Sequence, residues 1–110
     1  MKKLFALMLL ALFSLPMLAT EWKDAALADV QCSTKAKANP DAHTRNCAMQ
    51  CAKSGFGIYT SDGKFLKFDA KGNEQVMDAL KKTDKKDHLR VNVTGDQSGD
   101  TIKVQSLSLT

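Results

Sequence analysis

Apolar and polar residues alternate along one stretch in the second half of the chain. The apolar positions are Leu89, Val91 and Val93, and the polar positions between and after them are Arg90, Asn92 and Thr94. A period of two is typical of a strand with one buried face and one solvated face. The pattern therefore predicts a strand here, followed by a turn at residues 95–99.

The last nine residues before the C-terminal Thr110 also read as a strand, but their apolar positions change phase. Ile102 and Val104 lie on one face, whereas Leu107 and Leu109 are out of phase with them. One extra residue in a strand, a β-bulge, restores the apolar residues to the same face. We therefore expect a bulge within this strand, or a strand that crosses between two parts of a barrel.

A hairpin and a helix precede these two strands. Residues 57–60 and 64–69 flank Ser61-Asp62-Gly63, and Asp-Gly between two such runs is a strong hairpin signal. After Gly72-Asn73, a spacing of three and four residues predicts a short amphipathic helix. The residues on its apolar face are Val76, Ala79, Leu80 and Thr83.

The first half of the chain has weaker signals. Residues 22–30 fit either a strand or an alanine-rich helix, and periodicity alone does not decide between them. Asn39-Pro40-Asp41 resembles a helix start, and Gly55 resembles a helix stop. These signals predict one helix of about three to four turns between them. That helix would carry His43, Cys47 and Cys51.

The N-terminal residues have the order of a secretory signal. Lys2 and Lys3 precede an apolar run at residues 4–15, and small residues follow at Ala19 and Thr20. We expect cleavage near Ala19, which makes residues 1–19 a signal peptide and residues 20–110 a single exported domain. The run is shorter than the ~20 apolar residues that a membrane-spanning helix needs. The expected location is the periplasm or the extracellular space.

Removing this leader changes the charge argument. The mature chain has fourteen basic and twelve acidic residues, a net charge of +2. So mild a charge disfavours nucleic acid as a partner. The expected partner is instead an envelope protein or a small ligand, with no transmembrane segment left after cleavage.

The order of predicted elements is strand, cysteine-bearing insertion, hairpin, helix and two strands. A five-stranded Greek-key barrel of the oligonucleotide/oligosaccharide-binding (OB) type has a similar order, with a helix between its third and fourth strands. We therefore predict a mainly β fold with minor α content. In this OB-like barrel the cysteine-bearing helical insertion follows the first strand.

Four segments together resemble a family of uncharacterised exported bacterial proteins. They are Asp-Val-Gln-Cys at 29–32, Cys-Ala-Met-Gln-Cys-Ala-Lys-Ser-Gly at 47–55, Val-Asn-Val-Thr-Gly at 91–95 and Thr-Ile-Lys-Val at 101–104. The resemblance implies an Asp-x-x-Cys strand end that leads into a Cys-x-x-x-Cys helix and a small OB-like barrel. The family often has Gly and His one and four residues after the first Cys, where this chain has Ser33 and Ala36. The resemblance implies no established function.

The chain has three cysteines, Cys32, Cys47 and Cys51, and an odd number leaves several arrangements open. Small exported domains often use disulfides to supplement small cores. Cys32 bonded to Cys47 or Cys51 would stabilise the fold by roughly 3 kcal/mol and leave one free thiol. A Cys47–Cys51 bridge within a regular helix would be strained.

The alternative use of these residues is a zinc or copper site. Its candidate ligands are Cys32, Cys47, Cys51 and His43, the last three spaced four residues apart on the predicted helix. His43 and Cys51 would lie ~12 Å apart along a regular helix, too far apart to share one ion. A site would therefore combine Cys32 and Cys47 with either His43 or Cys51.

Two function classes follow from these patterns. The first is a non-enzymatic binding or stabilising module of the cell envelope, held together by a disulfide and without a cofactor. The second is a periplasmic protein that binds zinc or copper through the Cys/His cluster. No Ser/His/Asp set, phosphate loop or paired-carboxylate motif indicates catalysis, so we do not expect an enzyme.

Overall fold

The computed structural model of the protein describes residues 19–110, and this part of the chain is mainly β. The predicted leader, apart from Ala19, lies outside the described residues. The strands are β1 (Thr20–Asp29), β2 (Phe56–Tyr59), β3 (Phe65–Phe68), β4 (Arg90–Ser98) and β5 (Thr101–Leu109). The α-helices are α1 (Ser33–Ala36), α2 (Arg45–Gln50) and α3 (Ala70–Lys82), and short 3-10 helices span Pro40–Ala42 and Ala52–Ser54.

The five strands close into a barrel in the order β1-β2-β3-β5-β4, in which β4 pairs again with β1. Neighbouring strands are antiparallel except for β3 and β5, which pair in parallel over two residues. Segment 22–30, which the sequence left open between strand and helix, is strand β1 up to Asp29. The barrel therefore confirms the mainly β prediction and the expected count of five strands.

The barrel interior contains the alternating residues that the sequence pattern selected. Val91 and Val93 of β4 are fully buried, and Ile102 and Val104 of β5 pack with them. In α3, Val76 and Leu80 are fully buried, so the predicted amphipathic helix is confirmed. The helix begins earlier than expected because Asp69 caps it, its side chain accepting a hydrogen bond from the Gly72 amide.

The phase change in the last strand is a β-bulge, as predicted. Thr94 pairs with Ser106 and Gly95 pairs with Val104, so Gln105 is the extra residue. Leu107 and Leu109 consequently pack against the same core cluster. The predicted turn at 95–99 is wrong in its position, because β4 continues to Ser98 and the turn is Gly99-Asp100.

The single helix predicted between Asn39 and Gly55 is also wrong. The segment divides into a 3-10 helix, the short helix α2 and a second 3-10 helix, with extended backbone at His43 and Thr44. Thr44 is the effective cap, since its hydroxyl accepts a hydrogen bond from the Cys47 amide. His43 therefore precedes α2 and does not share a helix face with Cys47.

An ion pair connects this insertion to the barrel. The Arg90 guanidinium of β4 donates to both carboxylate oxygens of Asp41, each over 3.0 Å. Asp41 is half-buried, and hydrogen bonding from Arg90 holds the pKa of its carboxyl below the usual range. The two-point geometry makes this contact more specific than a typical surface pair.

We expect Asp41→Asn to lower the free energy of unfolding by about 1 kcal/mol at pH 7, because the pair is partly exposed. A carboxyl with a lowered folded-state pKa stabilises the fold above its unfolded pKa, and this stabilisation disappears as pH falls through the folded value. The difference in the free energy of unfolding between Asp41→Asn and wild type should therefore become smaller below about pH 4. Urea denaturation across this pH range measures it. Asp96→Asn, at an exposed position of β4, should show no such convergence.

Among residues 19–110, no helix combines the length and the apolar character that crossing a membrane requires.

Candidate metal and thiol site

The candidate site forms where β1 ends. Asp29, the last residue of β1, has no exposed surface and is the one fully buried charged side chain among the described residues. It pairs in register with Phe56 of β2, which is also fully buried. A carboxylate in such a place needs hydrogen-bond partners, because burial without them is costly.

Two groups from the insertion hydrogen-bond the Asp29 carboxylate. The Cys32 amide donates to Oδ2 over 2.9 Å, and Nε2 of His43 lies 2.7 Å from Oδ1. With the carboxylate oxygen as the acceptor, the second bond is donated by the Nε2–H tautomer of His43. The His43 side chain is only 7% exposed. The buried carboxylate thus positions both ends of the insertion around itself.

Two cysteine sulfurs complete the cluster. The Sγ atoms of Cys32 and Cys51 are 4.0 Å apart, and both residues are half-buried. One ligand atom from each of Asp29, Cys32 and Cys51 lies within 4.8 Å of the other two. A carboxylate oxygen with two sulfurs is a donor set that zinc accepts, and thiolates also suit copper(I).

Backbone contacts hold the two cysteine-bearing segments side by side. The Val30 amide donates to the Gly55 carbonyl over 2.9 Å. The Gln31 amide donates to the Ser54 hydroxyl over 3.1 Å, and that hydroxyl donates to the Cys51 carbonyl over 2.7 Å. The segment before Cys32 and the segment after Cys51 are therefore fixed to each other next to the sulfur pair.

Burial and the negative charge of Asp29 raise the pKa of the Cys32 thiol to about 11, with a smaller contribution from Cys51. Burial also raises the pKa of Tyr59 to about 12. The Tyr59 hydroxyl donates to the Ser33 carbonyl, directly after Cys32. Burial and Asp29 thus favour the thiol form of Cys32, the opposite direction from the lowered pKa values of the activated cysteines in thiol catalysts.

The structure brings together only part of the predicted ligand set. Cys32 and Cys51 lie together, whereas Cys47 is exposed on α2 and outside the cluster. His43 contacts Asp29 through Nε2 instead of sharing a helix face with the cysteines. The proposed combination of Cys32 and Cys47 is therefore not formed.

Within residues 19–110 no disulfide is formed, and Cys32, Cys47 and Cys51 are free thiols. The sulfurs of Cys32 and Cys51 are 4.0 Å apart, well beyond the ~2.05 Å of an S–S bond. The expected link between insertion and barrel is instead made by polar contacts, Asp29 with His43 and Asp41 with Arg90.

Asp29 is the residue that sequence reasoning missed as a site candidate. The sequence signal was present: a carboxylate directly after the apolar run Ala-Ala-Leu-Ala and three residues before a cysteine. In a strand that closes a barrel, such a position predicts a buried charge, which must be paired or must bind a ligand.

An open groove of about 570 Å³ lies beside the site. Its walls come from α1, the β2–β3 hairpin and the β4–β5 turn. Tyr59 and Phe65 form a tilted aromatic pair with ring centroids 5.1 Å apart, and Lys37 and Lys64 line the same groove.

Comparison with known protein families, with characterised proteins and with solved structures finds no match to this chain.

Proposed function

We propose that this protein is an exported OB-like domain that binds one transition-metal ion, zinc or copper, through Asp29, Cys32 and Cys51. The observation that carries the proposal is the convergence of a buried carboxylate oxygen and two sulfurs within 4.8 Å. The proposed function is binding of the ion, not catalysis.

The sulfur spacing supports a shared ion. Two thiolates on a tetrahedral zinc with Zn–S bonds of about 2.3 Å are separated by about 3.8 Å. The observed separation of Cys32 and Cys51 is 4.0 Å. An ion can therefore enter between the sulfurs with a shift of only a few tenths of an ångström, whereas a covalent bond requires a closure of about 2 Å.

The surroundings of Asp29 support its role as a ligand. Each carboxylate oxygen accepts one hydrogen bond and retains a second lone pair for a metal ion. Carboxylates that bind metals are commonly oriented by such hydrogen bonds, and these partners raise the affinity. His43 thus contributes by positioning Asp29 and does not itself bind the ion.

The number of ligands favours a site that exchanges its ion. Three protein ligands leave the fourth tetrahedral position to water or to a group from another molecule, unlike the closed four-ligand sites of structural zinc. Half-buried sulfurs are also accessible to an incoming ligand. We therefore favour reversible metal carriage over a purely structural ion.

The strand order and the position of α3 between β3 and β4 support the OB-like part of the proposal. The leader pattern at residues 1–19 supports export. The cysteine-bearing segment between β1 and β2 would then be an insertion in the first loop of the barrel.

Zinc titration of the reduced protein against a chromogenic chelator tests the proposal. We expect one equivalent to bind, and Cys51→Ser to weaken binding at least about 100-fold through loss of a ligand. Cys47→Ser is the matched control, since it removes an exposed thiol outside the cluster, and it should bind as wild type does. Equal losses in the two variants, or no stoichiometric binding by wild type, would contradict the proposal.

A second candidate is a non-enzymatic binding module of the cell envelope, and the groove beside the site favours it. OB domains bind ligands on the face of strands 2 and 3, between the loops that follow strands 1 and 4. The groove is lined by Tyr59 of β2, by Phe65 of β3, by α1 and by the β4–β5 turn, and this lining supports a comparable placement. Absence of zinc binding in the titration would leave this candidate as the favoured function.

A further inference from the structure

We propose that Cys32 and Cys51 form a reversible disulfide that excludes the metal ion, so that the oxidation state of this pair decides whether the site can be filled. This inference rests on the proposed metal site and adds its regulation. It assigns two alternative bonds to the same two sulfurs, an S–S bond or two bonds to one ion.

The positions of the two cysteines permit both states. Cys32 precedes the one-turn helix α1, and Cys51 follows the last residue of α2, so neither lies on a barrel strand. Closing the sulfur separation from 4.0 Å to about 2.05 Å therefore requires adjustment of short segments and not of the barrel.

Backbone hydrogen bonds near Cys32 and Cys51 already restrict the relative positions of the two cysteines. The Val30–Gly55 hydrogen bond and the Gln31–Ser54–Cys51 hydrogen-bond chain hold the two segments together whether or not the sulfurs are joined. Because the two cysteines are already held close together, forming the S–S bond costs little further conformational entropy. The same scaffold does not include Cys47, so Cys47 should remain unpaired.

The two states exclude each other chemically. A metal ion needs thiolates as ligands, and both sulfurs of a disulfide have given up that charge. In the oxidised state only the Asp29 carboxylate remains of the three ligands. Asp29 keeps its hydrogen bonds from the Cys32 amide and from His43 and should therefore stay ordered in both states.

The oxidant we name is a disulfide, and oxidised glutathione is the probe. One cysteine of the pair attacks a glutathione sulfur as a thiolate, forms a mixed disulfide and releases one glutathione thiolate. The other cysteine, as a thiolate, attacks the protein sulfur of the mixed disulfide and releases the second glutathione thiolate. Two protein thiols are thus oxidised and one disulfide is reduced, and in the metal-free protein the two protons that the cysteines give up pass through solvent to the two glutathione thiolates. A zinc ion bound at the start leaves as the aqueous dication.

The test is to incubate the full chain, reduced and with or without one equivalent of zinc, in glutathione buffers of increasing oxidation. Alkylation followed by intact mass counts the free thiols, peptide mapping locates them, and a chromogenic indicator measures released zinc. We expect the count to fall from three to one, with the remaining thiol at Cys47. One equivalent of zinc should be released as the two thiols are oxidised. Saturating zinc should slow this oxidation.

Two variants separate this inference from the proposed function. Asp29→Asn should still form the Cys32–Cys51 bond but should bind zinc weakly. Cys47→Ser should bind and release zinc as wild type does, but it should have no free thiol after oxidation because Cys47 is absent. Zinc that binds the reduced protein and stays bound after oxidation overturns the inference and leaves the proposed function intact. A disulfide that forms in a protein unable to bind zinc when reduced overturns the proposed function and, with it, the regulation of a metal site.

Discussion

Asp29→Ala is expected to lower the free energy of unfolding of the metal-free, reduced protein by about 2–4 kcal/mol, because a buried hydrogen-bond donor that loses its acceptor costs about 1–3 kcal/mol. The substitution removes the acceptor of two hydrogen bonds. It leaves the nearly buried His43 ring and the Cys32 amide without that partner. Chemical denaturation in the presence of reductant and chelator measures the loss without interference from metal or disulfide.

Asp29→Asn is the matched variant, because an amide has nearly the shape of the carboxylate. Its oxygen can keep the bond from the Cys32 amide, so we expect a smaller loss of about 1–2 kcal/mol. Both variants should bind zinc only weakly, since neither retains the carboxylate ligand. If both variants had free energies of unfolding within 1 kcal/mol of wild type, the hydrogen bonds to Asp29 would not stabilise the insertion.

The parts of the fold that the sequence predicted depend on local patterns. Strand β4 follows from alternation, the hairpin from Asp62-Gly63, and the bulge in β5 from a change of phase between Val104 and Leu107. Each of these signals lies within a few residues of the structure that it specifies. The closed barrel then follows because the strands have a common apolar face to bury.

The helix predicted between Asn39 and Gly55 was wrong because long-range contacts determine the local conformation there. Asn39-Pro40 and Thr44 are both plausible helix starts, and the sequence does not rank them. In the structure the Arg45 amide donates to the Lys86 carbonyl, and the His43 ring bonds to Asp29. Both partners lie far away along the chain, so the break in the predicted helix has no local signal.

The candidate metal site also depends on long-range contacts that the sequence does not show. Helical spacing correctly indicated that Cys47 and Cys51 are one turn apart, but not which of them faces Cys32. That choice depends on Gly55 bonding to Val30 and on Ser54 bonding to Gln31, which turn the end of α2 toward β1. The Asp-x-x-Cys pattern contained Asp29, yet its role became visible only with its burial and its contact with His43.

Gly57→Ala is expected to destabilise the barrel by about 3 kcal/mol, the upper part of the usual range for overpacking. Gly57 is buried in β2, and a Cβ atom there would lie 2.2 Å from the Leu66 carbonyl oxygen and 2.7 Å from the Phe65 ring. The ring could rotate away, but the carbonyl belongs to the backbone of β3. Strands β2 and β3 would therefore have to separate.

Gly99→Ala isolates this effect from the general cost of replacing a glycine. Gly99 has φ of +60°, but a Cβ there would meet no atom within 4 Å, so only the left-handed backbone opposes the change, at about 1–2 kcal/mol. Thermal or urea denaturation should thus rank Gly57→Ala as the more destabilising of the two, and the reverse ranking would refute the close approach of β2 and β3. Because Gly57 also pairs with Ala28, one residue before Asp29, the same substitution should weaken zinc binding, whereas Gly99→Ala should not.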